Sequence, residues 1–412
     1  MNRSDEYRYW SEDDKQECGD CVTQYTHEAI LNACKILTMI SQQRIFFDFL
    51  QFCIGSAKEI PDSLKDADWE ILYAIAEKQA LLGVLFHGIK QLPKELAPEA
   101  RLLIKWMGMA QKIRQQNVRL FIDSAKVCKK FKQVGFRNCI LKGQGNALLY
   151  PDPYMRTPGD IDIYLVGGRN RVMQYINKVC PNQVMRYHHV DFPVMKTAIE
   201  VHFTPSYMYF PTRNIRMQKW FEEVMDLQCS NVVELPDGYG EINVPTLNFN
   251  VIYILSHLYR HVFSEGIGLR QLLDYYYVLV KSEERRMKSC TISEGKANVT
   301  SLQRELKHLG LWKFAGAVMY VLHEALGLPK EKMIAPMDER EGKFLLEEIM
   351  RGGNFGQYDD RLGCKDNEGK LHRYFRMNLR NLRFVKHYPS EALSEPFFRT
   401  WFAVWKKVHG IR

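Results

Sequence analysis

The chain has 412 residues, with 57 Lys and Arg against 48 Asp and Glu, 46% apolar residues and 12% aromatics. That length supplies two or three domains' worth of core, and the composition excludes wholesale disorder, collagen and coiled coil. The surplus of +9 sits almost wholly in Lys370–Arg412, where ten Lys/Arg face two Asp/Glu, so the sum by itself is no nucleic-acid signal.

Residues 1–20 are polar and acidic, lack the apolar stretch of a secretory signal and read as a mobile leader. Cys18-x-x-Cys21 has no second pair of ligands to make a structural zinc site. The ten scattered cysteines suggest reduced thiols, and no apolar run reaches the ~20 residues of a membrane span, so a cytoplasmic protein is expected. Residues 21–134 read as an N-terminal helical region. Apolar residues recur at helical spacing from Val22 to Ser56 and again through Asp68–Ile89, and one or two long helices fill Ala100–Val134.

The texture changes at residue 135, opening a mixed core that runs to 245. It holds a short buried strand at Asn138–Leu141, then Lys142-Gly143-Gln144-Gly145 and a helical turn. An alternating strand follows at Asp160–Leu165, then a helix at Arg169–Val179 and an antiparallel pair at Val184–Val190 and Pro193–Phe203. A hairpin closes the core at Val232–Val244, turning through Pro236-Asp237-Gly238. Residues 246–350 are helical again (Leu247–Phe263, Leu269–Lys281 and Val299–Leu326, stopped by Gly327). Residues 351–370 read as a linker or loop, and 371–412 as a basic helical C-terminus with helices at Leu371–Lys386 and Pro396–Val408. The expected fold class is α+β: a small mixed or antiparallel sheet with helices, flanked by N- and C-terminal helical regions.

Asp160 and Asp162 alternate with Ile161 and Ile163, which places both acids on one strand face and both isoleucines on the other. Aspartate is a poor strand former, and two carboxylates so close repel unless a cation neutralises them. A hard divalent ion such as Mg²⁺ suits this pair. Ile199-Glu200-Val201-His202-Phe203 alternates in the same way, so a strand lying beside the first would let Glu200 complete a three-carboxylate cluster able to hold two ions. His202 would orient an acid, contact a phosphate or simply fill a half-buried strand position.

Leu141-Lys142-Gly143, Leu149-Tyr150-Pro151, Arg156 and Gly159-Asp160-Ile161-Asp162-Ile163, with Glu200-Val201-His202 some forty residues on, resemble the polymerase-beta-type nucleotidyltransferase superfamily. More narrowly they are similar to a bacterial family of uncharacterised nucleotidyltransferases, whose H…GLRQLLD segment is matched by His257–Asp274. The resemblance implies transfer of NMP from an NTP to an unidentified acceptor, with pyrophosphate release and two Mg²⁺ ions, Mn²⁺ being the alternative. Asp160, Asp162 and Glu200 would be the metal ligands and catalytic acids. Gly143 and Gly159 would shape the phosphate turn, and Lys142 and Arg156 would bring positive charge to the triphosphate. The departures are Gly143-Gln144 where the superfamily has Gly-Ser or Gly-Gly, and a longer, Pro-rich stretch before Asp160. Left to the residues alone, the lesser alternatives are that Lys142 is a solvated strand-end lysine and Arg156 a partner of Asp152 or Asp160.

His257 and His261 stand four apart on a helix, but Leu258 follows His257, so the zinc-protease pattern fails and a structural or substrate-facing role remains. Arg270 and Asp274, at i and i+4, are expected to face each other, and the resemblance, which would place this helix over the nucleotide cleft, implies as the alternative that Arg270 touches phosphate or base. Arg373, Arg376, Arg380 and Arg383 form a basic stripe that would meet a polyanion such as nucleic acid, or else be salt-bridged, the commoner outcome. Two other functions share the fold: a nucleotide-binding or sensing module without turnover, and a toxin-like transferase that modifies RNA or protein.

Overall fold

The computed structural model describes residues 37–289, 301–362 and 369–410. The leader and the Cys18–Cys21 pair therefore lie outside the described residues. The N-terminal helices are α1 (37–54), α2 (Trp69–Lys78), α3 (Leu82–Ile89) and α4 (Ala100–Gln133). The stretch read as one pattern over Asp68–Ile89 is two helices. Asp68 caps α2 by accepting from the Glu70 and Ile71 amides, and Ala80 turns the chain at a positive φ of 56°. Ala100–Gln133, by contrast, is a single helix, seated by the buried Trp106, whose indole N–H donates to the Leu82 carbonyl at 2.8 Å.

Strands β1 (Asn138–Ile140), β2 (Ile161–Leu165), β3 (His189–Asp191) and β4 (Ile199–His202) form one sheet in the order β1-β2-β4-β3. β1 runs antiparallel to β2, β2 parallel to β4, and β4 antiparallel to β3, so the sheet is mixed. Helix α5 (Gln144–Ala147) follows β1, α6 (Gly168–Val179) follows β2 and α7 (Pro211–Gln228) follows β4. A separate hairpin pairs β5 (Val232–Glu234) with β6 (Glu241–Asn243) around Pro236–Gly238. Ile161, Ile163, Ile199 and Val201 are buried with Phe121, Phe131, Val172 and Ile176, the inner faces of α4 and α6. That apolar layer fixes which strand face is left for the acids.

The remaining helices are α8 (Leu247–Ser264), α9 (Leu269–Ser289), α10 (301–308), α11 (Trp312–Leu326), α12 (Glu339–Gly352), α13 (Lys370–Val385) and α14 (Pro389–Val408). Gly310, at φ +74°, divides α10 from α11 within a run read as continuous, and Gly327 stops α11 in the left-handed conformation. Helix α14 starts seven residues earlier than read from Pro396, with Pro389 in the first turn, where a missing N–H is harmless. A second apolar core unites α1–α3 with α8, α9, α11 and α12. Cys53, Cys128, Cys139, Cys180 and Cys229 are free thiols. No helix among the described residues is long and apolar enough to cross a membrane.

Candidate active site

Strand register assembles the acids. Asp162 on β2 stands opposite Glu200 on the parallel β4, so both carboxylates leave the same face of the sheet. Asp160 lies one residue before β2, on the same alternation. The ring of His202 is buried on this face, its Nε2 2.9 Å from Asp162 Oδ1 and 3.6 Å from Glu200 Oε2. Of the contacts open to it in the sequence, His202 makes those to the acids. Ligand atoms of Asp162, Glu200 and His202 all lie within 4.8 Å of one another, a donor set fit for a divalent ion. Asp160 stands outside that triplet but is electrostatically bound to it. Its carboxyl is pushed up to about 6, first by the charge of Asp162 and then by burial. Burial pushes Asp162 the same way, but Lys142 and His202 outweigh it and hold that carboxyl low.

Lys142 Nζ sits 3.0 Å from Asp162 Oδ1 and donates to His257 Nε2 at 3.2 Å. Burial, then the Lys142 charge, keeps His257 neutral by driving its pKa well below the usual imidazole range. Lys142 is thus neither a purely solvated lysine nor free: it bridges the acids to α8. A cleft of about 470 Å³ opens in front of this group. Lys142, Gly143, Arg156, Gly159, Asp160, Asp162, His257, Arg270 and Asp274 all line it, while Glu200 and His202 are not among its lining residues.

Three residues take partners other than those expected. Arg156 lines the cleft but pairs with neither Asp152 nor Asp160. Its Nε and Nη2 grip Asp274 Oδ1 and Oδ2 at 2.8 and 2.7 Å, and the Tyr150 hydroxyl donates to the same carboxylate at 2.7 Å. Asp274 therefore turns away from Arg270 to a partner 118 residues distant, because a bidentate guanidinium fork outcompetes a one-turn helical neighbour. Arg270 reaches across instead, donating to Asn354 Oδ1 at 3.2 Å and to the Thr157 carbonyl at 3.2 Å, with its guanidinium 5.3 Å from the Phe355 ring. Gly143 does need its glycine, at φ +58°, and a Cβ there would sit 3.4 Å from the Asp160 carbonyl. Helix α5 behind it spans only four residues, too short for a useful macrodipole. A Cβ on Gly159 would meet nothing within 4 Å, and packing does not demand glycine at that position.

The loop that carries Asp160 is clamped on all sides. Asn117 donates to the carbonyls of Tyr154 and Arg156 at 2.8 Å, Thr157 donates to the Ala80 carbonyl at 2.6 Å, and Arg270 holds Thr157 from the far side. Sequence reasoning missed Asn146, Gln271 and Phe355, which complete the cleft wall. It also missed His188 and His189, buried behind Glu200. The His-His doublet was a readable signal, whereas Phe355 sits in a Gly- and Asn-rich run with no pattern to mark it.

Paired acids on neighbouring strands stand beside a cleft whose wall carries Lys142, Arg156 and Arg270. Residues 65–327 match the family model described as uncharacterised nucleotidyltransferase, and the chain belongs to that family. No curated protein and no solved structure matches the chain. Family membership supports an NTP-transferase role.

Proposed function

We propose that the protein is a divalent-metal-dependent nucleotidyltransferase that transfers NMP from an NTP to an acceptor, with release of pyrophosphate. The observation that carries this reading is the pairing of Asp162 with Glu200 across parallel strands, with Asp160 lining the cleft beside them. Asp160, Asp162 and Glu200 would hold the cations, and Mg²⁺ or Mn²⁺ bound there neutralises phosphate charge and makes an acceptor hydroxyl more acidic. Lys142 and Arg270 place positive charge on the cleft wall, where the charged phosphate tail of a nucleotide would lie. His202 fixes the orientation of Asp162, and the neutral His257 accepts from Lys142 and so aims its ammonium. Arg156 and Asp274 act as positioning residues, locking the loop from Arg156 to Asp160 so that the acids need not reorganise during reaction.

The test combines binding and turnover. Thermal shift with each NTP should show stabilisation that requires Mg²⁺ or Mn²⁺. Pyrophosphate release should fall by at least ~10²-fold in Asp162→Asn and Glu200→Gln. Metal-independent NTP binding that Asp162→Asn leaves unchanged would refute the assignment of the acids. Binding without pyrophosphate release across a range of hydroxyl acceptors would leave a nucleotide-sensing module in place of the enzyme.

A further inference from the structure

The two C-terminal helices carry an apolar row on their outer side. On α13, Phe375, Leu379 and Leu382 follow one another at spacings of four and three. On α14, Leu393, Phe397, Trp401, Val404 and Val408 do the same at spacings of four, four, three and four. At 3.6 residues per turn, each set falls within an arc of about 80°. All eight side chains are at least 52% exposed, and they make up eight of the twenty large apolar residues exposed among the described residues. Single exposed apolar residues are ordinary, whereas aligned ones mark a surface that meets something.

The other side of α14 is already occupied. Phe398 stacks on Tyr207 with ring centroids 5.1 Å apart, and Phe402 meets Tyr187 at 5.7 Å. Glu391 accepts from the Tyr209 amide at 2.8 Å, and Glu395 pairs with Arg399 one turn on.

Charge decides what the outer face fits. Lys370–Arg412 holds ten Lys/Arg and two Asp/Glu. The two acids are Glu391 and Glu395, each at most 2% exposed, so neither helix presents an acid to solvent. Lys386 is exposed and continues the Phe375–Leu382 row one turn further, and the exposed Lys407 adjoins Val404 and Val408. Phe, Leu, Val and Trp in a row, edged by lysines and free of exposed acids, suit a helix lying in the headgroup layer of an anionic membrane. Lysine stems run along apolar groups while their ammonium reaches phosphate, and a tryptophan ring favours the same depth. A second copy of the chain would bring the same cations to the contact and repel.

We propose that the outer face of α13 and α14 docks the protein on the surface of an anionic phospholipid bilayer, with Phe397 and Trp401 entering the headgroup layer. The contact lies on the membrane and does not span it, since no helix among the described residues is long and apolar enough to cross one. The inference stands apart from the nucleotidyltransferase reading, because it needs neither nucleotide nor the acids of the cleft.

The full chain should co-sediment with vesicles of phosphatidylcholine mixed with phosphatidylserine far more than with phosphatidylcholine alone, and added salt should weaken the binding. Phe397→Ser with Trp401→Ser should lower partitioning at least ~10-fold. Lys386→Gln with Lys407→Gln should lower it about 25-fold, at about fivefold per lysine. All four positions are exposed, so Tm should hold in both variants. Phe375→Ser with Leu379→Ser repeats the apolar test on α13 should the α14 variant fail to fold. No sedimentation with anionic vesicles, equal binding to neutral ones, or undiminished binding by folded variants would overturn the proposal. So would a dimer, seen by ultracentrifugation without vesicles, that Phe397→Ser with Trp401→Ser splits, because the face would then belong to a second copy.

Discussion

Arg156 and Asp274 make the costliest residue-level commitment near the cleft. Both are buried, and burial pushes the Asp274 carboxyl up while the Arg156 charge and hydrogen bonds bring it back below its ordinary range. A pair of this kind adds little net stability, but leaving one charge alone is expensive. Arg156→Met should therefore cost about 3–5 kcal/mol in urea denaturation, and the double change Arg156→Met/Asp274→Leu should recover much of it. A single variant losing under ~1 kcal/mol would show that the pair does not hold the loop. Gly143→Ala makes a smaller test of backbone strain. With φ at +58° and only an ordinary 3.4 Å contact to the new Cβ, the expected loss is about 1–3 kcal/mol, arising from the backbone and not from a clash.

Among the elements, α13 carries the basic stripe, for which a salt-bridged face was the commoner of the two outcomes expected. Arg380 and Arg383 do turn inward. Arg380 Nε lies 3.4 Å from Asp359, and Arg383 pairs with Glu348 on α12. Arg361 joins the same knot, with Nε 2.7 Å from Asp359 and Nη2 2.9 Å from Glu348. The side chain of Arg373 lies outside the described residues. Burial pushes the Asp359 carboxyl up, but its bonds to Arg361 and the charge of Arg380 outweigh this and hold it at about 2. Because that value is below the unfolded value of about 3.9, the contribution is complete above pH ~4 and is lost as pH falls toward 2. Asp359→Asn should flatten that acid limb of the stability–pH curve, measured by circular dichroism. Replacing Arg380 and Arg383 together with glutamine should lower Tm by about 5 °C and leave heparin retention unchanged. Lost retention at an unchanged Tm would return the stripe to its polyanion role.

Across the whole molecule, the cleft is assembled from three distant stretches: the strand loop at 142–162, helices α8 and α9, and the segment around Asn354 and Phe355. The last of these packs tightly. A Cβ on Gly268 would fall 2.8 Å from Asn354 Cα, and one on Gly356 would fall 1.9 Å from the Glu265 carbonyl. Residues 353–356 are therefore seated on the α8–α9 turn and wall the cleft. Phe355→Ala should raise the KM for NTP several-fold with little change in kcat, since the ring borders the cleft and Arg270 without touching the acids. An equal fall in kcat and kcat/KM would instead place Phe355 in transition-state stabilisation.

Local pattern was enough to reveal the acidic strands. The alternations Asp160–Ile163 and Ile199–Phe203 declare themselves because strand side chains repeat every two residues, and one buried face forces the other to be polar. The order of helical, mixed and helical stretches was legible for the same reason, since burial imposes its period on the sequence. Partnership across distance was not legible. Asp274 prefers Arg156 to the nearby Arg270, Arg380 finds Asp359, and His188 and His189 close on His202, all through contacts that no local spacing encodes. The sequence by itself determined which residues carry charge and which face of each strand they occupy. Only the tertiary structure decided which charges meet, because an ion pair depends on distance through space, and distance along the chain says almost nothing about it.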